Sequence, residues 1–204
     1  MTLSPKLKAY EDAFDVLNEM YFESALSKPV ITIYPEPGTY GHFTPWKSWN
    51  DEGVERYEIN LAATEVDRPL TDVMCTLLHE MVHQYCTENG IKDTSRGNCY
   101  HNKKFKAECE KRGLKVSHDR ACGWGVTDPG PAFTDFIEQS KRFEPCRIQL
   151  CRVGGGREAQ TGSGTGKKPS STRKDVCPKC GMSVRATKEV NIGCLDCNEK
   201  MEEV

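Results

Sequence analysis

The chain uses two kinds of hydrophobic spacing, and each predicts a different element. Leu7, Tyr10, Phe14, Leu17, Tyr21 and Leu26 recur at three-, four- and five-residue steps, which lines them along one face of an amphipathic helix that Pro29 ends. The runs VITIY (30–34), GHF (41–43) and ERYEINLA (55–62) are short, β-branched or alternating, and separated by Pro and Gly, the pattern of a small antiparallel sheet. A second helix is predicted from about Val73 to Thr87, with Thr71 and Asp72 as candidate caps and Asn89-Gly90 as its stop. A third is predicted from about Asn102 to Arg112, stopping at Gly113, and residues 131–142 offer a fourth. No internal repeat is present.

Periodicity then stops. Residues 154–175 contain 13 Gly, Ser, Thr or Pro among 22 and no large apolar side chain, so nothing there offsets the entropy of ordering. A random coil of that length spans on the order of 26 Å. The segment reads as a linker, which divides the chain into a main domain (1–145), a flexible basic linker (146–175) and a small C-terminal unit (176–204).

Composition adds three constraints. The 37% hydrophobic and 28% charged content is that of a protein that folds in water. The sequence also lacks an apolar run near the roughly 20 residues that span a bilayer and a secretory h-region at its start. A membrane partner is therefore not expected, and the location expected is cytoplasmic, or the nucleoid or nucleus where DNA is bound. Eleven cysteines in a reducing compartment point to metal rather than disulfides. The net charge of −2 is unevenly distributed, because residues 152–192 carry nine Lys/Arg against three Asp/Glu.

The candidate chemistry centres on TLLHEMVHQYC (76–86). His79 and His83 are four residues apart on a helix, so both imidazoles reach one ion, and Glu80 stands one step round the helix from them. Two histidines and a third ligand hold Zn²⁺ with one position open, and Glu80 is placed to act as the base that handles the proton of an attacking water. At this chain's composition chance supplies such a motif in about one chain in a hundred, and the flanking Met74, Leu77, Leu78, Met81 and Val82 are apolar, as in a buried helix with one active face.

Three downstream residues, His101, Glu108 and His118, offer the third ligand, and Cys75 lies one turn before His79. Glu108 sits among lysines that would pair with it, His118 follows a strand-like stretch, and Cys75 reads as a small buried thiol. His101 opens the third helix after a Gly-containing loop and is preferred. No oxyanion donor is legible: Tyr85 and Tyr100 are the nearby hydroxyls, and both read better as packing residues.

The succession NEMYFESAL, INLA, TLLHEMVHQYC and YHNKKFKAECEKRG resembles the SprT-like metalloprotease domain, the family that includes the Spartan proteases that degrade proteins crosslinked to DNA, over residues 8–120. The resemblance implies an α+β, zincin-like minimal metalloprotease domain with His79, His83 and His101 as zinc ligands and Glu80 as catalytic base; Phe105 fits the family pattern. This chain departs from it in having Tyr100 where the family often has glycine before His101, and in a longer loop between Cys86 and Tyr100.

At the C-terminus Cys177, Cys180, Cys194 and Cys197 form two CxxC pairs thirteen residues apart, which reads as a structural zinc ribbon with four thiolate ligands. A unit of about 25 residues has too little core to fold without metal. Four thiolates leave no open position, so its expected role is binding: Lys167, Lys168, Arg173, Lys174, Lys179, Arg185 and Lys188 are candidate phosphate contacts, and the absence of aromatics argues against base readout. Cys122, Cys146 and Cys151 could form a further metal site but read better as reduced thiols, and Tyr40, His42, Trp46 and Trp49 as core or cleft wall.

The function expected is a zinc-dependent endopeptidase, with one catalytic and one structural Zn²⁺, acting on nucleic-acid-bound or DNA-crosslinked proteins, DNA being the favoured nucleic acid. The alternative is a non-proteolytic, nucleic-acid-associated zinc protein such as a transcription-related factor.

Overall fold

Helix α1 (Ser4–Phe22) forms where the apolar spacing predicts it and buries Tyr10, Ala13, Phe14 and Leu17 completely. In this computed structural model, which describes residues 3–97, 99–149 and 173–203, α1 stops well short of Pro29. Glu23 and Ser24 both take positive φ, and the Asn18 side chain bonds the backbone of Leu26 in both directions, which turns the chain out of the helix.

Strands β1 (Val30–Tyr34), β2 (Gly41–Asp51) and β3 (Val54–Ala62) form a sheet in the order β1-β3-β2. It is mixed rather than antiparallel as expected. A tight turn, with Glu52 and Gly53 both at positive φ and Asn50 accepting from the Gly53 amide, returns β3 antiparallel along β2. The returning strand inserts beside β1 and so runs parallel to it. Strand β2 is left at the edge.

Helix α2 (Leu70–Glu88) packs against β2 and β3, with Met74, Leu77, Leu78, Met81 and Val82 wholly buried. It starts from Pro69 with no side-chain cap, so Thr71 and Asp72 fall inside its first turn. Helix α3 (Lys103–Lys111) is capped by Asn102, whose side-chain Oδ1 accepts from the amides of Lys104 and Phe105.

A second sheet, absent from the sequence expectation, joins β4 (Thr94–Ser95), β5 (Tyr100–His101), β6 (Leu114–Asp119) and β7 (Gly123–Pro129) in the order β4-β5-β7-β6, with β5 and β7 parallel. Helix α4 (Pro131–Gln139) and a 3₁₀ turn (Lys141–Cys146) close the unit. The chain remains part of this core beyond residue 145: Tyr10 donates to the Cys146 carbonyl, and Cys146 and Ile148 are buried.

The second compact unit, within residues 156–204, is described by itself. Strands β8 (Arg173–Val176), β9 (Ser183–Ala186) and β12 (Glu202–Glu203) form one small sheet, and β10 (Gly193–Cys194) pairs with β11 (Glu199–Lys200). It begins at Arg173, inside the segment read as linker. Its buried hydrophobic cluster is Cys177, Cys194 and Met201, flanked by Val184, Ile192 and Cys197. Among the described residues no helix is long and apolar enough to cross a membrane.

Glu108 takes a structural place in this fold. Arg112 is 7% exposed, lies between the rings of Phe22 and Tyr85, and donates to a Glu108 carboxylate oxygen at 2.7 Å. Removing the carboxylate strands a buried guanidinium. Glu108→Ala should lower unfolding free energy by about 3 kcal/mol in a urea titration while leaving bound metal per folded chain unchanged.

Candidate metal centres

The α-helical period brings His79 and His83 to one face of α2, and β5 carries His101 to the same point. The Nε2 atom of His83 lies 3.3 Å from Nε2 of His79 and 3.0 Å from Nε2 of His101. Each outward nitrogen is engaged: His79 Nδ1 with Thr127 Oγ1 at 2.9 Å, His83 Nδ1 with Asp93 Oδ2 at 2.5 Å, and His101 Nδ1 with the Cys122 carbonyl at 3.1 Å.

Those partners set the tautomers. A carbonyl and a carboxylate only accept, so His101 and His83 carry a proton on Nδ1, and in their neutral forms each turns an Nε2 lone pair inward. Burial, and then the charge of His83, holds His79 well below the usual imidazole range and His101 at about 4, which favours the neutral rings. Lone pairs converging at 3.0 and 3.3 Å repel unless a cation stands among them. A single proton serves one pair; a metal ion serves all three. Nitrogens about 2.05 Å from a tetrahedral ion stand about 3.3 Å apart, near the two separations that His83 makes, so the donor set suits such an ion.

Phe105 forms the floor. Fully buried, it stacks on His83 with ring centroids 4.4 Å apart and meets the rings of His79 and His101 at 4.7 and 4.6 Å. Strand β7 forms the wall behind His101, where a Cβ on Gly125 would come within 2.4 Å of His101 Nδ1. Gly123, at positive φ, approaches the His101 carbonyl in the same way. Thus GWG (123–125) admits the third ligand, a signal that sequence reading passed over, as it did Asp93 and Thr127.

Glu80 is buried beside the histidines. Burial pushes its carboxyl up to about 7, against the lowering effects of His83 and of a hydrogen bond from the Phe43 backbone. It opens on both sides to solvent-filled space. One cleft, of about 840 Å³, is lined by Tyr40, Arg68, His79, Glu80, Thr127 and Asp128 among others; a second, of about 370 Å³, continues past His83 along Gly41, His42, Phe43 and Pro45.

The other candidates lie elsewhere. Glu108 belongs to Arg112 and Lys111; His118 accepts from or donates to the Tyr100 hydroxyl and packs on Trp124; Cys75 is a buried thiol outside the histidine group. Tyr85 packs on Phe22 and Arg112, and neither Tyr85 nor Tyr100 lines the two clefts. Cys122 is half-buried and Cys146 bonds the Ala9 carbonyl, so these two do not share a site; Cys151 lies outside the described residues.

In the second unit the sulfurs of Cys177, Cys180, Cys194 and Cys197 all lie within 4.8 Å of one another. Cys180 and Cys194 Sγ are 3.7 Å apart, too far for a disulfide and close to the roughly 3.8 Å edge of a tetrahedron with sulfurs about 2.3 Å from its centre. The amides of Cys180 and Lys179 lower the Cys177 thiol to about 7, while Cys197 is pushed up to about 12, first by Cys180. One thiolate forms easily; four need a cation.

Of the basic residues expected to meet nucleic acid, Lys167 and Lys168 lie outside the described residues. Arg173 is shared between Glu189 and Glu203. Lys174 and Arg185 face each other across β8 and β9, and Lys179 and Lys188 are exposed. Residues 173–203 carry six Lys/Arg against six Asp/Glu, because β11 and β12 fold acidic residues back into the unit.

Metal analysis of the purified chain should give two equivalents, falling to one in His79→Ala. Gly125→Ala, which crowds His101 without touching the helix, and Asp93→Ala, which removes the His83 partner, should each weaken the histidine centre about 10- to 100-fold while leaving the cysteine centre loaded. Comparisons with protein-family models, with curated proteins and with solved structures return no match.

Proposed function

We propose that the chain is a zinc-dependent endopeptidase that acts on proteins bound or crosslinked to nucleic acid, DNA in the first place. The observation that carries the reading is the convergence of three imidazole Nε2 atoms beside the buried carboxyl of Glu80, in a cleft open to solvent. Zinc in such a donor set supplies Lewis acidity to a carbonyl and to water, with one position left for them. In the second unit, Cys177, Cys180, Cys194 and Cys197 would hold an ion with four thiolates, which leaves no position open and suits a structural role.

The chain's own groups supply the rest. Glu80 has a carboxyl poised near neutrality, so its oxygens both accept a proton from the attacking water and return it to the departing amine. Asp93 and the Cys122 carbonyl hold His83 and His101 in their tautomers, and Thr127 orients the His79 ring. Phe105 keeps water from behind them.

The substrate backbone has a natural partner in β2. It is an edge strand whose outer side pairs with nothing in its sheet, and it begins at Gly41 against Glu80. An extended polypeptide laid along it gains main-chain hydrogen bonds regardless of sequence. At Gly41 a Cβ would meet the Asn60 carbonyl at 2.7 Å and Glu80 Cγ at 3.6 Å, so any side chain there would disturb the strand at the point nearest the base.

Lys174, Lys179, Arg185 and Lys188 have no ion-pair partner among the described residues and are the groups that would hold phosphates. Such binding is salt-sensitive. The double variant Lys174→Ala/Arg185→Ala should reduce the slope of log affinity against log salt by about two on duplex DNA.

The activity is tested with a DNA-bound protein substrate, with and without the DNA. Wild type should release fragments, and Glu80→Gln should reduce the rate at least about 10²-fold while retaining both metal equivalents. Intact substrate with wild type under every condition would leave the non-proteolytic zinc protein as the reading.

A further inference from the structure

The second cleft runs along the start of β2 and reaches Pro45, and just beyond it three large apolar side chains stand at the surface. Trp46 is 64% exposed, Trp49 45% and Val54 55%. The two tryptophans were expected in core or cleft wall, and they lie instead on an arm. Strand β1 pairs with β3 only from Glu58 to Ala62, so the β2–β3 hairpin beyond that point projects as two strands. A register shift between Thr44 and Trp49 bulges Pro45–Ser48 outward. The Trp49 indole is oriented by a 2.8 Å bond to Glu58. Nothing in the described unit covers these rings, and two exposed indoles in one short hairpin are costly to keep in water without a purpose.

The charge around them narrows the occupant. Asp51, Glu52, Glu55 and Glu58 outnumber Lys47 and Arg56, and Arg56 is tied to Asp51 at 3.0 Å. Such an arm repels phosphate. It suits a polypeptide with large apolar side chains and positive charge, as found in unfolded segments of proteins that bind nucleic acid.

We propose that the Trp46/Trp49 arm is a substrate-capture site, which grips an extended, basic and apolar-bearing segment of unfolded polypeptide about five residues from the bond placed at Glu80. The proposal rests on the peptidase reading for the meaning of that bond. The spacing follows from the strand: Gly41 sits at Glu80, and the five steps to Trp46 cover at most about 17 Å of extended chain. A folded substrate cannot lie on the edge strand and reach the arm at once. The arm therefore selects unfolded segments, which restrains an otherwise open cleft.

The test measures binding without hydrolysis. Full-length Glu80→Gln protein is titrated into a fluorescently labelled 20-residue peptide alternating Lys/Arg with Leu/Phe, and into a matched peptide with Ser at the apolar positions, and anisotropy is read. Trp46→Ala/Trp49→Ala should weaken the apolar peptide about tenfold or more, with Trp46→Tyr close to the parent protein, and the Ser peptide should bind the parent about as poorly. Equal binding by the parent and the double alanine variant would overturn the proposal. So would an oligothymidylate that competes for the arm, or self-association of the chain that the double variant abolishes. Fragment release by wild type is scored separately: arm-dependent binding with no cleavage refutes the peptidase reading alone, and cleavage indifferent to both tryptophans refutes the arm alone.

Discussion

Three imidazole lone pairs aimed at one point repel each other, and much of the first unit serves to hold them there. The rings are fixed from outside, by Asp93 on the loop after α2, by Thr127 on β7 and by the Cys122 carbonyl just before β7. They are fixed from below by Phe105, buried among all three. The second sheet exists in this arrangement to place His101: parallel pairing of β5 with β7 sets its height, and Gly125 leaves room for its ring. A preformed cluster of this kind exchanges its internal repulsion for coordination when an ion enters, so little reorganisation opposes binding.

The second unit applies the same logic with less protein. Its buried hydrophobic cluster is two cysteines and a methionine, too small to offset chain entropy, and the four sulfurs already lie within 4.8 Å of one another. An ion held by these four sulfurs would make binding and folding one event. The unit's charges balance, and Glu202 and Glu203 of β12 pair alongside β8, which carries Arg173 and Lys174. Any grip on nucleic acid by residues 173–203 is therefore local, made by an exposed basic face such as Lys174 opposite Arg185, rather than by a net field.

Local pattern carried the helices and the chemical groups. Apolar steps located α1, helix stop signals placed the ends of α2 and α3, and residue spacing alone brought out His79, Glu80, His83 and the four cysteines, because helical period and paired CxxC turns are short-range facts. His101 needed more: its distance from α2 depends on a sheet whose strands β4 and β5 are two residues each, below what alternation can reveal. Asp93 and Thr127 were illegible for the same reason, being ordinary polar residues until the fold sets them against imidazoles. The mixed sheet was missed because strand order is a property of the return path of β3, and the exposed tryptophans because a hairpin longer than its neighbour strand looks, in sequence, like any other.

Extended X-ray absorption fine structure at the zinc edge of the intact, fully loaded chain tests the histidine centre most directly. Two unlike sites average to about two sulfurs near 2.3 Å and about two nitrogen or oxygen atoms near 2.0–2.1 Å per ion, with the multiple-scattering pattern of imidazole. A shell of sulfur alone would mean that only the cysteine centre holds metal, and would contradict the account.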